Sequence, residues 1–188
     1  MEKIINEVEK AYNVLISGGV ILYPTDTIWG LGCDASNDGA IIKLNNIKKR
    51  DNSNPMLSLI NSSEMLESYL YKKPNNLDKI LNEFDGPTTF IYKNPKNISK
   101  FLISKDNTVA FRIVDHNFCN ILIDRLNKPI VSTSANIHNT RHPSSYKEID
   151  DCILKGVDYI VNLPNESFGK LPSSIVNIND KGEINKIR

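Results

Sequence analysis

Amphipathic stretches and short apolar runs alternate along the chain. Apolar residues recur at helical spacing over residues 4–16, and Gly18-Gly19 follows as a helix stop, so the chain is predicted to begin with an amphipathic helix. A short buried strand over residues 20–23 comes next and ends at Pro24. Helical spacing returns over residues 38–49. The chain therefore begins with a helix, a strand and a second helix.

The same interleaving continues downstream. Residues 56–60, 88–92, 108–114, 130–131, 158–161 and 174–178 are predicted strands, in part because β-branched and aromatic residues favour strands. Helices are predicted over residues 62–71, 76–84 and 117–126. Helices and strands that interleave along the whole length predict an α/β fold with a mixed sheet.

Three polar motifs stand beside these apolar runs and are too polar to be core. They are Tyr23-Pro24-Thr25-Asp26-Thr27, Lys48-Lys49-Arg50 and Ser132-Thr133-Ser134-Ala135-Asn136. The first and third are predicted to follow strand ends, and open α/β sheets bind ligands just beyond such ends. We therefore expect the three motifs to converge on one anionic, hydroxyl-bearing ligand.

Composition narrows the choice of protein class. With 188 residues and 40% hydrophobic content, the chain is expected to form a single domain over residues 1–188. A net charge of +1 gives no overall attraction to nucleic acid or to a membrane. The charged opening segment, and the lack of any stretch near the roughly 20 apolar residues of a membrane span, predict a cytoplasmic protein with no membrane partner.

Few residues suggest covalent or metal chemistry. Three cysteines at unrelated spacings are expected to be reduced, structural thiols: Cys33, Cys119 and Cys152. Three histidines are expected in loops, in surface or structural roles: His116, His138 and His142. We therefore predict no covalent nucleophile and no metal ligand from the protein. The remaining candidates bind substrate through hydroxyl, amide and basic groups, which suits catalysis by orientation and charge neutralisation.

Each motif also has a simpler explanation. Residues 24–27 fit a turn whose polar side chains satisfy backbone donors, and residues 132–136 fit a helix N-cap. The basic cluster at 48–50 would complement the dipole of the preceding helix. A lone strand arginine such as Arg112 is usually solvated. Only the joint occurrence of these motifs, in this order, favours a shared site.

Taken together, the motifs resemble the YrdC/Sua5 family of threonylcarbamoyl-AMP synthases, in its short, single-domain form. The resemblance covers nearly the whole chain, through an opening signature over residues 23–35, a KxR motif at Lys48 and Arg50, an SxN motif at Ser134 and Asn136, and Gly86-Pro87-Thr88-Thr89, Val109-Ala110-Phe111-Arg112, Phe168-Gly169 and Ser173-Ser174-Ile175-Val176. It implies a YrdC-like α/β fold, a twisted mixed sheet flanked by helices.

The resemblance also implies a reaction. A nucleotidyltransferase of this family, L-threonylcarbamoyladenylate synthase, converts L-threonine, bicarbonate and ATP into threonylcarbamoyl-AMP and pyrophosphate for the t6A37 modification of tRNA. Mg²⁺ is expected on the ATP phosphates. A downstream tRNA threonylcarbamoyl transferase complex is the expected partner.

Site residues follow from the same resemblance. Those expected at the ATP and its phosphates are Lys48, Arg50, Thr108, Asn136, Ser144 and Arg188. Those expected at threonine and carbamate are Thr25, Arg112, Ser134 and Ser173. Lys48 and Arg50 would neutralise the triphosphate, and Arg112 would pair with the amino acid carboxylate.

Two alternatives stay open. A non-catalytic protein of double-stranded RNA binding or ribosome assembly would use the cleft and a local basic surface. Direct contact with tRNA or double-stranded RNA also stays open as a partner interaction. A carbamoyl transferase with another acceptor, as in hydrogenase maturation, would be expected to carry acylphosphatase-like and zinc-binding segments, and this sequence shows neither.

Overall fold

The structure, a computed structural model, describes residues 1–51, 54–163, 171–179 and 183–187. Its helices are α1 (Glu2–Ile16), α2 (Asp38–Lys48), α3 (Ser63–Glu67), α4 (Leu77–Asn82), α5 (Asn117–Leu126) and α6 (Asp151–Gly156). Its strands are β1 (Ile21–Tyr23), β2 (Gly30–Gly32), β3 (Leu57–Ile60), β4 (Thr88–Lys93), β5 (Thr108–Ile113), β6 (Ile130–Ser134), β7 (Tyr159–Ile160), β8 (Ser174–Ile178) and β9 (Ile184–Lys186).

These strands form one mixed sheet in the order β7-β1-β2-β6-β3-β5-β4-β8-β9. The β1–β7, β3–β5 and β4–β8 pairs are parallel, and the other neighbours are antiparallel. The predicted α/β fold with a mixed sheet is therefore confirmed.

Strand β1 shows how helices cover both faces of the sheet. Successive strand residues point to opposite faces. Ile21 and Tyr23 accordingly pack with side chains of α1 and α5, whereas Leu22 packs with side chains of α2 and α6. A strand buried on both faces reads as a continuous apolar run. This burial explains why the sequence of β1 is apolar throughout.

Strands β4 and β5 divide their residues differently. One face carries the large apolar side chains Phe90, Tyr92, Val109 and Phe111, which pack against α3 and α4. The opposite face carries shorter or polar side chains, and it lines a cavity: Thr89, Ile91, Thr108, Ala110 and Arg112. The alternation of these two strands therefore gives the sheet one core face and one face open to a ligand.

The structure corrects several predicted details. Helix α3 ends at Glu67 because the chain beyond it pairs with residues 94–96 through Leu70 and Tyr71. Ile5 and Ile16 of the predicted apolar stripe are 44% and 56% exposed. The hydroxyl cluster at 132–134 belongs to β6 itself and does not follow its end. The sequence pattern does not predict β2, α6 or β9, because these elements are short. In β2, two of the three residues are also glycine.

The cysteines and the helices bear on two further expectations, which are structural thiols and the lack of a membrane span. Cys33 and Cys119 are free and buried, as expected of structural thiols, whereas Cys152 is free and exposed. Within the described ranges, no helix has both the length and the apolar character needed to cross a bilayer.

Gly32 of β2 occupies a position without room for a side chain. A Cβ there would lie 2.6 Å from the Val131 carbonyl oxygen and 2.6 Å from Cε1 of the Tyr23 ring. We expect Gly32→Ala to lower the free energy of unfolding by about 1–3 kcal/mol, because close-packed backbone and ring must move apart. Urea denaturation measures this loss.

Gly39 of α2 supplies the matched control. An added Cβ there meets only Asn37 Oδ1, at 3.4 Å, and alanine favours helix more than glycine does. Gly39→Ala should keep or slightly raise stability. Equal effects of the two substitutions would show that the close approach at β2 is not a real constraint.

Candidate active site

A cavity of about 500 Å³ opens over the face of β4 and β5 that carries the short and polar side chains. Strands β6 and β8 extend its floor, and the loop between β1 and β2 contributes to its wall. The predicted site residues that line it are Thr25, Arg50, Thr108, Arg112, Ser134 and Ser173. Segments far apart in the sequence therefore converge here, as the polar motifs predicted.

Arg112 is the buried charge of this cavity. It is 3% exposed, and its Nη1 donates a hydrogen bond to Oδ1 of Asp26 at 2.8 Å. Oδ2 of Asp26 accepts from the Asp115 backbone N–H at 3.3 Å. The Nε–H of Arg112 is buried and has no acceptor among the described residues. The alternative of a solvated strand arginine is therefore wrong.

The loop that holds Asp26 is fixed by its own threonines. Thr25 Oγ1 donates to the Ile28 carbonyl oxygen at 2.8 Å, and the Thr27 N–H donates to Thr25 Oγ1 at 3.1 Å. The simpler interpretation of this motif as a turn is thus correct for these contacts. The same turn places Thr25 and Thr27 in the cavity wall. Structural and binding interpretations are compatible at this motif.

The two basic residues of the KxR motif lie in different environments. Arg50 lines the cavity, and its Nε and Nη2 donate to the carbonyl oxygens of Asn54 and Pro55 at 3.3 and 3.1 Å. Lys48 is 1% exposed and lies outside the lining, where its ammonium donates to the carbonyl oxygens of Ser134 and Asn136. Lys48 thus contacts the SxN motif directly, and its contact with phosphate stays a prediction.

Burial changes the proton affinity of Lys48. The cost of holding a charge away from water, together with the nearby positive charge of Arg50, lowers the pKa of Lys48 to about 7. The two contacts to Ser134 and Asn136 are 2.5 and 2.7 Å long, and the Lys48 carbonyl oxygen accepts from the His138 N–H at 2.8 Å. Side chain and backbone of Lys48 therefore both fix the segment that follows β6.

The segment after β6 is a turn and not the start of a helix, so the N-cap alternative is wrong. Asn136 accepts from Ser134 Oγ at 2.5 Å and donates to the Thr140 carbonyl oxygen at 2.7 Å. The Ser144 N–H donates to Oε2 of Glu148 at 2.9 Å. Asn136 and Ser144 lie outside the cavity lining, and their contacts with nucleotide stay predictions.

Two hydroxyl pairs complete the floor. Thr108 Oγ1 lies 2.7 Å from Ser104 Oγ, and Ser173 Oγ lies 2.8 Å from Thr89 Oγ1. Such hydroxyls can donate to or accept from a polar substrate. Arg188 and the Phe168-Gly169 motif lie outside the described residues.

Sequence reasoning missed parts of this site. Asp26 was assigned to a turn, because nothing in the sequence shows that it pairs with a residue 86 positions away. Thr89 alternates with core aromatics, a signal that would have placed it opposite them. His142 was expected in a surface or structural role, whereas it lines the cavity. Trp29 lines it as well and is 5% exposed.

The described part of the chain contains no group of three or more His, Cys, Asp or Glu side chains that could hold a metal ion. The described residues of the cavity lining include no carboxylate. With Arg50 and Arg112 in its described lining, the cavity is suited to anionic groups.

Comparison with known proteins shows the family to which the chain belongs. The Sua5/YciO/YrdC family model, described as telomere recombination, matches residues 13–188. A threonylcarbamoyl-AMP synthase of Hahella chejuensis is 32% identical over 173 residues, which are 89% of this chain and 91% of that protein.

Solved structures share the fold. E. coli YciO superposes with a TM-score of 0.82 and 25% identity over 96% of this chain and 87% of that chain. P. abyssi Sua5 complexed with L-threonine gives a TM-score of 0.82 and 24% identity over 90% of this chain. The matched region covers 50% of that Sua5, so this chain spans about half of its length. At this level of identity the likeness to Sua5 shows the fold.

Loss of Asp26 should be costly because it leaves Arg112 charged and buried. We expect Asp26→Ala to lower the free energy of unfolding by about 3–5 kcal/mol. A double-mutant cycle with Arg112→Ala should show coupling, since removal of both charges relieves the penalty. Asp151→Ala, which removes an exposed pair with Lys155, is the control and should be nearly neutral. Additive effects of Asp26 and Arg112 would contradict the pairing.

The low pKa of Lys48 gives stability a pH dependence. Between about 7 and the ordinary lysine value of 10.5, the unfolded chain holds more protons at this position than the folded protein. The contribution of Lys48 to the free energy of unfolding should therefore rise with pH across that window. The measurement is the difference between the wild type and Lys48→Met in denaturant titrations below, within and above it.

Lys49→Met controls for the loss of a lysine at the same helix end, because Lys49 is exposed. The difference between the wild type and Lys48→Met should change more with pH than the difference between the wild type and Lys49→Met. A Lys48 difference that changes no more than the Lys49 difference, or that falls as the pH rises, would contradict a buried amine of lowered pKa.

Proposed function

Because the chain belongs to the Sua5/YciO/YrdC family, we propose that it is a threonylcarbamoyl-AMP synthase, an enzyme of the nucleotidyltransferase kind. It would combine L-threonine, bicarbonate and ATP and release threonylcarbamoyl-AMP and pyrophosphate, for the t6A37 modification of tRNA. The observation that carries the proposal is a buried arginine in a cavity lined by hydroxyl groups, which suits a zwitterionic, hydroxylated amino acid.

In this proposal Arg112 binds the carboxylate of threonine. Its Nη1 is engaged by Asp26, whereas its buried Nε–H has no acceptor among the described residues. A carboxylate beside the guanidinium would satisfy that donor, and charge-assisted hydrogen bonds of this kind are strong. Thr25, Ser134 and Ser173 would surround the rest of the substrate and the growing carbamate.

Arg50 is proposed to contact the phosphates of ATP. Two backbone carbonyls already orient its guanidinium at the cavity wall, so little side-chain entropy is lost on binding. A positive charge fixed beside the departing pyrophosphate stabilises the charge that grows there in the transition state. Thr108 would add a hydroxyl contact, and Asn136, Ser144 and Arg188 are further candidates near the nucleotide.

Lys48 is proposed to act from beneath the site. Its ammonium holds the backbone of Ser134 and Asn136, so the SxN segment is placed by a buried contact. Mg²⁺ is proposed to enter as part of the substrate, on the ATP phosphates, where it needs few protein ligands. The product would then pass in the cytoplasm to a tRNA threonylcarbamoyl transferase complex.

The proposal is tested by incubating the purified protein with ATP, Mg²⁺ and bicarbonate, with and without L-threonine. Pyrophosphate release that depends on threonine and bicarbonate, with threonylcarbamoyl-AMP identified by mass spectrometry, is the expected result. A folded, ATP-binding protein without turnover would refute it and favour the alternative of an RNA-binding or ribosome-assembly protein, which salt-dependent binding to double-stranded RNA and to tRNA would then test.

Two substitutions should separate the substrates. Arg112→Lys keeps a charge beside Asp26 but removes the planar fork, so the KM for threonine should rise about tenfold or more. Arg50→Ala should instead lower kcat and weaken the binding of ATP. Arg125→Ala, at an exposed pair with Glu9, is the control and should match the wild type. A threonine KM that is unaffected by Arg112→Lys would contradict the assigned role.

A further inference from the structure

Proton transfer at this cavity depends on few side chains. Among the described residues that line it, the ionisable ones are Arg50, Arg112 and His142. A guanidinium does not give up its proton in proteins, and serine and threonine hydroxyls do not take one near neutral pH. Histidine is the side chain that ordinarily exchanges protons between about pH 5 and 8. The described lining thus contains one conventional proton acceptor, His142.

Three charged residues outside the described lining have defined partners, on the loop paired with Arg112 and on segments joined to the one that carries His142. Asp26 accepts from Arg112 and from the Asp115 N–H. Glu148 accepts from the Ser144 N–H, on the chain segment that follows His142. Lys48 donates to the carbonyl oxygens of Ser134 and Asn136, which precede His142 in the chain. His142 itself lines the cavity, as Arg50 and Arg112 do.

The segment that carries His142 is fixed on both sides. Before it, the His138 N–H donates to the Lys48 carbonyl oxygen at 2.8 Å, and Asn136 Nδ2 donates to the Thr140 carbonyl oxygen at 2.7 Å. After it, Pro143 is buried and Ser144 is held by Glu148. A general base must stand at a defined position to be effective, and these contacts provide one.

We propose that His142 is the general base that removes a proton from the threonine ammonium group. This inference rests on the proposed function. One N–H bond breaks and its proton moves to the imidazole, which leaves a nitrogen lone pair. That lone pair forms a bond to the bicarbonate carbon, a C–O bond breaks, and the second amine proton leaves with the hydroxide as water. The carbamate remains for adenylation, and His142 returns its proton to solvent.

The test compares the wild type with His142→Gln, His142→Ala and His138→Gln. His138 lies in the same segment but outside the cavity lining, so its substitution is the matched control. Product formation is followed from about pH 5 to 8, the range in which histidine titrates. Nucleotide affinity and thermal unfolding are measured on the same samples, and imidazole is added to His142→Ala.

We expect His142→Gln to lower kcat by about 100-fold or more, with the acid limb of the pH profile lost. Nucleotide affinity should stay unchanged, and imidazole should restore part of the activity of His142→Ala. A wild-type rate and pH profile in His142→Gln would overturn the inference, because the substrates would then supply their own base. A loss that is uniform with pH, not rescued by imidazole and accompanied by weak nucleotide binding would overturn it too. A wild type without product would instead refute the proposed function.

Discussion

The buried ion pair between Arg112 and Asp26 is the contact on which the cavity depends. Asp26 lies in the loop between β1 and β2, whereas Arg112 lies on β5, which is separated from β2 in the sheet by β6 and β3. The loop must therefore reach across two strands to place its carboxylate on the guanidinium. Two charges withdrawn from water are tolerated only when each is matched, so the pair ties this loop to β5. The loop and β5 both contribute residues to the cavity lining.

A second constraint joins the two basic and polar motifs. Helix α2 ends at Lys48, whose ammonium binds the last residue of β6 and Asn136 after it, and whose carbonyl oxygen binds His138. The KxR and SxN motifs are thus parts of one structural unit. In this unit Lys48 holds the SxN segment, and Arg50 lines the cavity. This division explains why two basic residues of one motif need not have the same role. It also leaves Arg50 and Arg112 as the positive charges on the described cavity wall.

Local pattern was sufficient to predict much of the fold. Helix α5 matches the predicted residues 117–126, since its apolar spacing is regular and its end is marked by Asn127 in a left-handed conformation. Strands β4 and β5 were also predicted within a residue or two, because β-branched and aromatic residues dominate them. Strand β2 was missed, since two of its three residues are glycine and its position depends on β1 and β6.

The candidate site was predictable only as a set of motifs. Hydroxyls at strand ends and basic residues after a helix indicate a binding site without specifying which atoms face it. The burial of Lys48, the pairing of Asp26 with Arg112 and the location of His142 all depend on contacts between distant segments, which no local pattern records. The tertiary structure therefore alters the interpretation of individual site residues more than it alters which residues belong to the site.

We propose that Arg112, held by Asp26, recognises the carboxylate of an amino acid. Isothermal titration of the wild type with L-threonine and with L-threoninol, which lacks the carboxylate, tests it most directly. We expect threoninol to bind about tenfold or more weakly than threonine, since the guanidinium then loses a charge-assisted partner. Equal affinities would contradict this role of Arg112, whatever reaction the protein catalyses.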